Sequence, residues 1–333
     1  MGLALPAESA SLWNTIHREA VAAAEPALAA WMHEAVVNQS NLASALAQLI
    51  AVAVSGSRDE KTVTRRIAER AYRDDPSLIE IATLDLRAPL DRDPACPGPL
   101  HVLLHFKGYI ALQAYRISHR LWESGRTEFA RELHGRITQA LHVSIHPSVT
   151  IGSALFIDHG TGITIGEGVV IGEDVSMLQE VTLSSSPEGQ AGAPRIGRGA
   201  AISRGEVLGN VDIGDFAKIG AGSLVLASVP SGYTAVGVPA RLVGRASDAR
   251  PALNMVTATI FPSDVCANPL ELYASQRDTA WRERDDHDQD AERLPLPFRR
   301  IQLPCAPGLD RRKRPHEHRL LWRRVRQGKL CGL

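Results

Sequence analysis

The sequence predicts an α+β chain in three parts: an all-α N-terminal domain over residues 1–143, a left-handed parallel β-helix over 144–244, and a largely disordered, Pro- and charge-rich tail over 245–333. Three observations carry that reading. Apolar residues recur at i, i+3 and i+4 through an alanine-rich first part. Aliphatic residues then fall six apart from Ile145 to Val225. Beyond about Gly244 the periodicity gives way to proline and charge, as in the Arg282–Asp290 stretch.

In the first part the predicted helices are 10–24, 26–37, 40–54, 59–73, 76–85, 101–124 and 126–142, with Pro26, Pro76 and Pro94 marking starts or breaks. Such a pattern alone fits any helical bundle. The six-residue step is more specific. It is kept by Ile145, Ile151 and Ile157, by Ile165, Ile171 and Met177, by Ile196 and Ile202, and by Ile213, Ile219 and Val225. A lone helix or a hairpin has no such period. One short strand and one tight turn per face of a triangular coil does, with the aliphatic side chain pointing inward and stacking on its counterpart in the next coil. Glycine often follows the aliphatic residue, where a corner must turn sharply.

Three breaks interrupt the step. Ile157 to Ile165 is eight residues (165 − 157), two too many. Met177 to Ile196 is nineteen (196 − 177), so Ser184 to Arg195 must leave the coil as a loop. Ile202 to Ile213 is eleven (213 − 202), one short of two periods. Loops ejected from a regular scaffold often carry function.

Composition excludes some classes. Lysine plus arginine equals aspartate plus glutamate, 37 each, so whole-chain charge points to neither nucleic acid nor membrane. Cys96, Cys266, Cys305 and Cys331 show no metal-ligand spacing and make no disulfide framework, which suits a reducing cytoplasm and predicts no metal. The N-terminus lacks a basic region followed by an apolar run, so no signal peptide is expected. The most apolar stretch, 42–54, is too short to span a bilayer. The basic stretch 299–329 reads as a solvated extension rather than a nucleic-acid surface.

Two blocks inside the coil can carry chemistry. One is Ser144-Ile145-His146-Pro147. The other is Asp158-His159-Gly160-Thr161-Gly162, followed by Gly166-Glu167. The second falls on the eight-residue break. A histidine there can accept a proton from a hydroxyl, and Asp158 can hold an ammonium. On the residues alone, His159 is equally a base or a corner hydrogen-bonder. His146, before a proline, reads as structural, and Asp93 after Arg92 reads as a helix or turn cap.

From about Leu12 to Gly244 the chain resembles the serine O-acetyltransferase family. The resemblance rests on Leu12-Trp13, AAAEPAL at 22–28, Asp75-Pro76, RDPA at 92–95 and FKGYIALQAYRISHRLW at 106–122. In the coil it rests on Ile145-His146-Pro147, Asp158-His159, Gly166-Glu167, VSMLQEVTL at 175–183, KIGAGS at 218–223 and GVPARLVG at 237–244. It implies an acyltransferase that moves acetyl from acetyl-CoA to the hydroxyl of L-serine in cysteine biosynthesis. His159 matches the general base, Asp93 and Asp158 the carboxylates that grip the substrate ammonium, and Glu167 an acid beside the site. Ala221, Gly222, Ser203, Gly205 and Arg241 fall on the CoA groove between subunits, where small residues let backbone amides reach the pantetheine arm. The resemblance further implies a homo-oligomer, a trimer or a dimer of trimers joined through the helical domains. It also implies a C-terminus that docks on O-acetylserine sulfhydrylase; this chain ends Cys331-Gly332-Leu333.

Departures from the family pattern cluster on the site. The family reads Asp-Ile-His-Pro where this chain has Ser144, and that aspartate orients the histidine; on this view Ser144→Asp raises any activity. The family's loop carries an Arg-His pair that clamps the substrate carboxylate, at positions held here by Gly192 and Ala193. The small-residue run of the CoA wall reads Ile202-Ser203-Arg204-Gly205-Glu206-Val207, one residue short. Three readings stay open: a serine acetyltransferase with rearranged contacts, an acetyltransferase for another amino-alcohol acceptor, and a catalytically silent binding or assembly scaffold.

Overall fold

The computed structural model describes residues 6–23, 25–185, 192–246 and 249–253. Expectations for the remaining tail, its cysteines and its terminal docking lie outside the described residues. The chain opens with helix α1 (Pro6–Ala22). A 3-10 turn at Pro26–Leu28, α2 (Ala29–Met32) and a π turn at His33–Val37 together fill the segment expected as one helix over 26–37. Then come α3 (Leu42–Val54), α4 (Arg58–Asp74), α5 (Ser77–Arg92), α6 (Pro99–His105), α7 (Lys107–Glu123) and α8 (Thr127–Leu141).

Local chemistry sets several of these bounds. Asn41 and Ser44 cap α3 reciprocally, side chain to backbone, and Ser57 and Glu60 do the same for α4. Two further expectations needed correction. The helix predicted to end at 85 runs on to Arg92 with Pro89 inside it, because its extension buries Leu86, Ala88 and Arg92. The burial outweighs the one hydrogen bond that proline removes. The helix predicted over 101–124 is two, broken at Phe106, whose backbone is extended. Phe106 stacks on Phe156 of the coil, with ring centroids 6.3 Å apart.

The coil is a parallel β-solenoid of triangular section. Its first face stacks β1 (Val143–Ile145), β4 (Ile163–Ile165), β7 (Val181–Ser184), β10 (Gly205–Leu208) and β13 (Ser223–Val225). The second stacks β2 (Thr150–Ile151), β5 (Val170–Ile171), β8 (Arg195–Ile196) and β11 (Asp212–Ile213). The third stacks β3 (Phe156–Ile157), β6 (Ser176–Met177), β9 (Ala201–Ile202), β12 (Lys218–Ile219) and β14 (Tyr233–Gly237), closed by an antiparallel β15 (Ala240–Arg245). Inward-facing aliphatics form the buried ladders: Ile145, Ile165, Leu183, Val207 and Val225 on the first face, and Ile151, Ile171, Ile196 and Ile213 on the second.

Each break in the step has a place. The two extra residues between Ile157 and Ile165 swell the corner from the third face to the first, at 158–162. The missing residue falls at the same edge two coils on, where Ile202 and Val207 are only five apart (207 − 202). The long gap sits on another edge, between β7 and β8.

Helices and coil share one continuous core. The joint is polar at its centre. Asp85 on α5 accepts from Arg116 (Nε, 2.7 Å), Gln113 (3.0 Å) and the Leu155 amide of the coil (3.1 Å). Arg116 on α7 donates onward to Ile151 O and Gly152 O. At the end of α5, Arg92 donates to Val175 O, Ser176 Oγ and Asp174. Gly108 at the start of α7 lets the helix lie directly on β3: a Cβ there would stand 2.3 Å from Ile157 O. This contact fixes α7 beside the 158–162 corner.

Candidate functional site

The swollen corner presents His159. Its side chain is 72% exposed, while the neighbouring Asp158 side chain is 23% exposed; His159 Nε2 stands 3.8 Å from Asp158 Oδ1. His159 has φ +56, but Glu180 and Gly222 repeat a left-handed residue at the corners stacked on it, and Ala154, Asp174 and Phe216 do so along a neighbouring edge. The conformation therefore belongs to the solenoid's corners, and histidine tolerates it better than a branched residue would. Gly162 donates its N–H to His142 O (3.0 Å), tying the corner to the end of α8. Lys107 donates to Thr161 Oγ1.

Asp158 and Asp93 are near enough for their charges to interact. Burial pushes the Asp158 carboxyl above the usual aspartate range; the His159 imidazole opposes this and the negative charge of Asp93 adds to it. Asp93 is also the cap it appeared to be from sequence. It closes α5, and its Oδ1 accepts from the Ala95 amide at 2.9 Å. Two acidic side chains near one imidazole can attract a cation beside a proton acceptor. Among the described residues no cluster of His, Cys, Asp or Glu could hold a metal ion.

Ser144 is placed otherwise. Its Oγ lies 3.0 Å from His134 Nε2, on α8, rather than on the imidazole of His159. Burial holds His134 below the usual histidine range, with His146 adding to it, so the ring favours its neutral form. His146 is structural as expected: its Nδ1 bonds Ser148 Oγ (2.7 Å), and its ring packs edge-on against Trp122.

The edge that carries His159 continues upward through 178–180, 203–204 and 220–222. Backbone bonds link it coil by coil: Glu180 N to Thr161 O (2.8 Å), Gly205 N to Glu180 O (3.2 Å) and Gly222 N to Arg204 O (2.6 Å). The candidate CoA residues Ser203, Gly205, Ala221 and Gly222 thus stand above the candidate base in one line. Ala221 and Gly222 are exposed, and nothing lies within 4 Å of a Cβ built on Gly222. Gly205 is needed for the stack itself, since its Cβ would meet Ser223 O at 2.6 Å. The small residues leave room for an extended arm. The amides of Ser203, Gly205 and Gly222, expected to reach a ligand, are instead engaged between coils. Arg241 lies exposed on β15.

Sequence reasoning missed one feature of this edge. Arg204 forms an ion pair with Glu180, its Nε donating to Glu180 Oε2 at 2.9 Å and its Nη2 to the same oxygen. Counting corners by the six-step would have put both residues on the His159 edge.

Glu167 lies elsewhere. With Gly168, Ser185, Gly192, Ala193, Arg195 and Asn210 it lines an open cleft of about 400 Å³ on the edge between the first and second faces. A strand of the first face, β4, separates that edge from His159.

The chain is similar to known proteins over most of its length. The family described as "Serine acetyltransferase, N-terminal" matches residues 12–114. The chain is 42% identical over 250 residues to the serine acetyltransferase of Escherichia coli (strain K12), covering 73% of this chain and 91% of that protein. It is similar to the crystal structure of serine acetyltransferase from Vibrio cholerae, with a TM-score of 0.72 and 40% identity over 74% of this chain and 97% of the other. The soybean serine acetyltransferase complexed with serine superposes with a TM-score of 0.68 and 42% identity, over 72% and 100% of the two chains.

Proposed function

The chain belongs to the serine acetyltransferase family, and on that premise we propose that it transfers acetyl from acetyl-CoA to the hydroxyl of L-serine, giving O-acetylserine for cysteine biosynthesis. The observation that supports this most directly is the single edge on which Asp158-His159 and the small-residue corners at 203–205 and 221–222 are stacked. A thioester arm laid along that edge ends at the imidazole.

In this reading Asp93 and Asp158 hold the serine ammonium, which sets the hydroxyl beside His159. The His159 imidazole takes the hydroxyl proton as the serine oxygen attacks the thioester carbonyl. The tetrahedral intermediate collapses with cleavage of the C–S bond, and the imidazolium returns the proton to the CoA sulfur. The products are O-acetylserine and CoA thiol. The edge supplies orientation and room for CoA rather than a covalent step. The acceptor and the donor are held in one geometry, which is where much of such a rate comes from. Assembly as a homo-oligomer, a trimer or a dimer of trimers, belongs to the same reading.

Thiol release from acetyl-CoA in the presence of L-serine tests it. His159→Ala is expected to lower kcat by about 10²- to 10⁴-fold with an unchanged thermal transition. Equal rates in wild type and variant would remove His159 from the chemistry. Turnover with ethanolamine but none with L-serine would assign the protein to the other-acceptor class.

A further inference from the structure

We propose that Arg204, oriented by Glu180, receives the carboxylate of the amino-acid acceptor; this deepens the acetyl-transfer reading above and rests on it. An amino acid brought to His159 is a zwitterion. Asp93 and Asp158 answer its ammonium, and a cation is needed for its other end.

Three observations single out Arg204. First, its position: Glu180 stacks on Thr161 through a 2.8 Å backbone bond, and the Arg204 guanidinium reaches back down to the Glu180 carboxylate. Neighbouring strands of a sheet are about 4.8 Å apart, so the guanidinium lies roughly one coil from the corner that carries His159. Second, its orientation: Nε and Nη2 both donate to Glu180 Oε2, which occupies one edge of the planar group. The other edge, Nη1 with the outer N–H of Nη2, makes no hydrogen bond to any described residue. A guanidinium fixed on one side and open on the other fits a second carboxylate in fork geometry. Third, its exposure: the two side chains are 52% and 56% exposed. An ion pair that open to water contributes little to stability, so folding alone gives it slight value.

Two other cations are less well suited. Lys107, at the same corner, is a point charge already donating to Thr161 Oγ1. Arg195 lines the cleft with Glu167 on a different edge of the coil.

Steady-state kinetics on the full-length protein test the assignment, with L-serine and with ethanolamine, an amino alcohol without the carboxylate, as substrate or competitive inhibitor. Arg204→Ala is expected to raise KM for L-serine about ten- to a hundredfold, the weight of a charged hydrogen-bonded pair. It should leave the affinity for ethanolamine unchanged. Arg204→Lys should recover part of the serine affinity, and Glu180→Gln should weaken it less than Arg204→Ala does. An equal loss for ethanolamine, a rise in KM for acetyl-CoA in place of serine, or a serine effect from Lys107→Ala alone would each overturn the assignment. An unchanged KM for serine in an active Arg204→Ala protein overturns it while the acetyl-transfer reading stands. A wild-type protein without serine turnover removes both.

Discussion

Asp85 offers a way to test how the helices hold the site together. Its carboxylate is fully buried and Arg116 beside it is 6% exposed. Asp85 takes two bonds from Arg116, one from Gln113 and one from the Leu155 amide. Asp85→Ala removes all four and leaves a buried guanidinium with only the Ile151 and Gly152 carbonyls as partners. Breaking one side of a buried pair costs about 3–5 kcal/mol. For an ordered body of this size each kcal/mol lowers Tm by roughly 2–4 °C, so the variant should melt about 6–20 °C lower. The double variant Asp85→Leu/Arg116→Met removes the stranded charge together with its partner, and should recover most of the loss.

The same change reaches the candidate site, because Asp93 caps the end of α5 and Asp85 ties α5 to the coil at Leu155. Asp85→Ala should therefore raise KM for L-serine at temperatures where the protein is still folded. Thermal unfolding followed by circular dichroism, with kinetics at 20 °C below each variant's own midpoint, reads both effects. A single variant no less stable than the double variant would refute the stranded-charge argument. A destabilised variant with an unchanged serine KM would refute the link from Asp85 to Asp93.

Ser144→Asp is expected not to raise the rate, contrary to the expectation from sequence, because His134 Nε2 stands 3.0 Å from that position and would claim the new carboxylate; a gain in kcat in the single variant refutes this. The Asp158 carboxyl is held above the ordinary range, first by burial and then by Asp93. Its ionised form, which grips the ammonium, is lost as pH falls through that raised value, so KM for L-serine should climb at a higher pH than an ordinary aspartate would give. Asp93→Asn removes the like charge and should move the climb to lower pH, whatever it does to the plateau; an unmoved profile would count against the pairing. Gly192→Arg, which restores the family's residue in the loop, should lower Tm and gain no activity. Gly192 has φ +123, and a Cβ there would lie 2.6 Å from Asn210 Cγ; an undiminished Tm would show that the loop can shift.

The coil was legible because its signal repeats. Each inward aliphatic is one of a ladder, so Ile145, Ile165 and Leu183 confirm one another, and the three irregular spacings marked the corners that differ. The helical bounds were less legible where packing overrides local preference. Pro89 would end an isolated helix, yet α5 continues past it because the coil buries its last turn. Phe106 carries no breaker signal, yet it interrupts a helical pattern to stack on Phe156. Within the site, Asp158 and His159 are adjacent in sequence and needed no fold to be paired. The neighbours of Ser144 and Arg204 depend on which side chains a helix or a coil 10 to 24 residues away brings alongside, and that information is tertiary.

The irregular spacings also separate two kinds of change. The swollen corner at 158–162 and the shortened one at 203–204 fall on the same edge, two coils apart, with Glu180 between them. The longer corner carries His159, 72% exposed, and the shorter one carries Arg204, whose side chain reaches the Glu180 carboxylate one coil below. The loop from β7 to β8 belongs to a different edge, beyond the width of β4, about 10 Å at the rise of a strand. Within one chain, then, Glu167 and the cleft beside Gly192 cannot serve the same bound molecule as His159 unless that molecule spans a full face of the coil. The ammonium-binding carboxylates, the base and the Arg204–Glu180 pair need no such span. Loss of a cation from the loop and gain of one at 204 are therefore changes on two different edges, and only the second lies in line with His159.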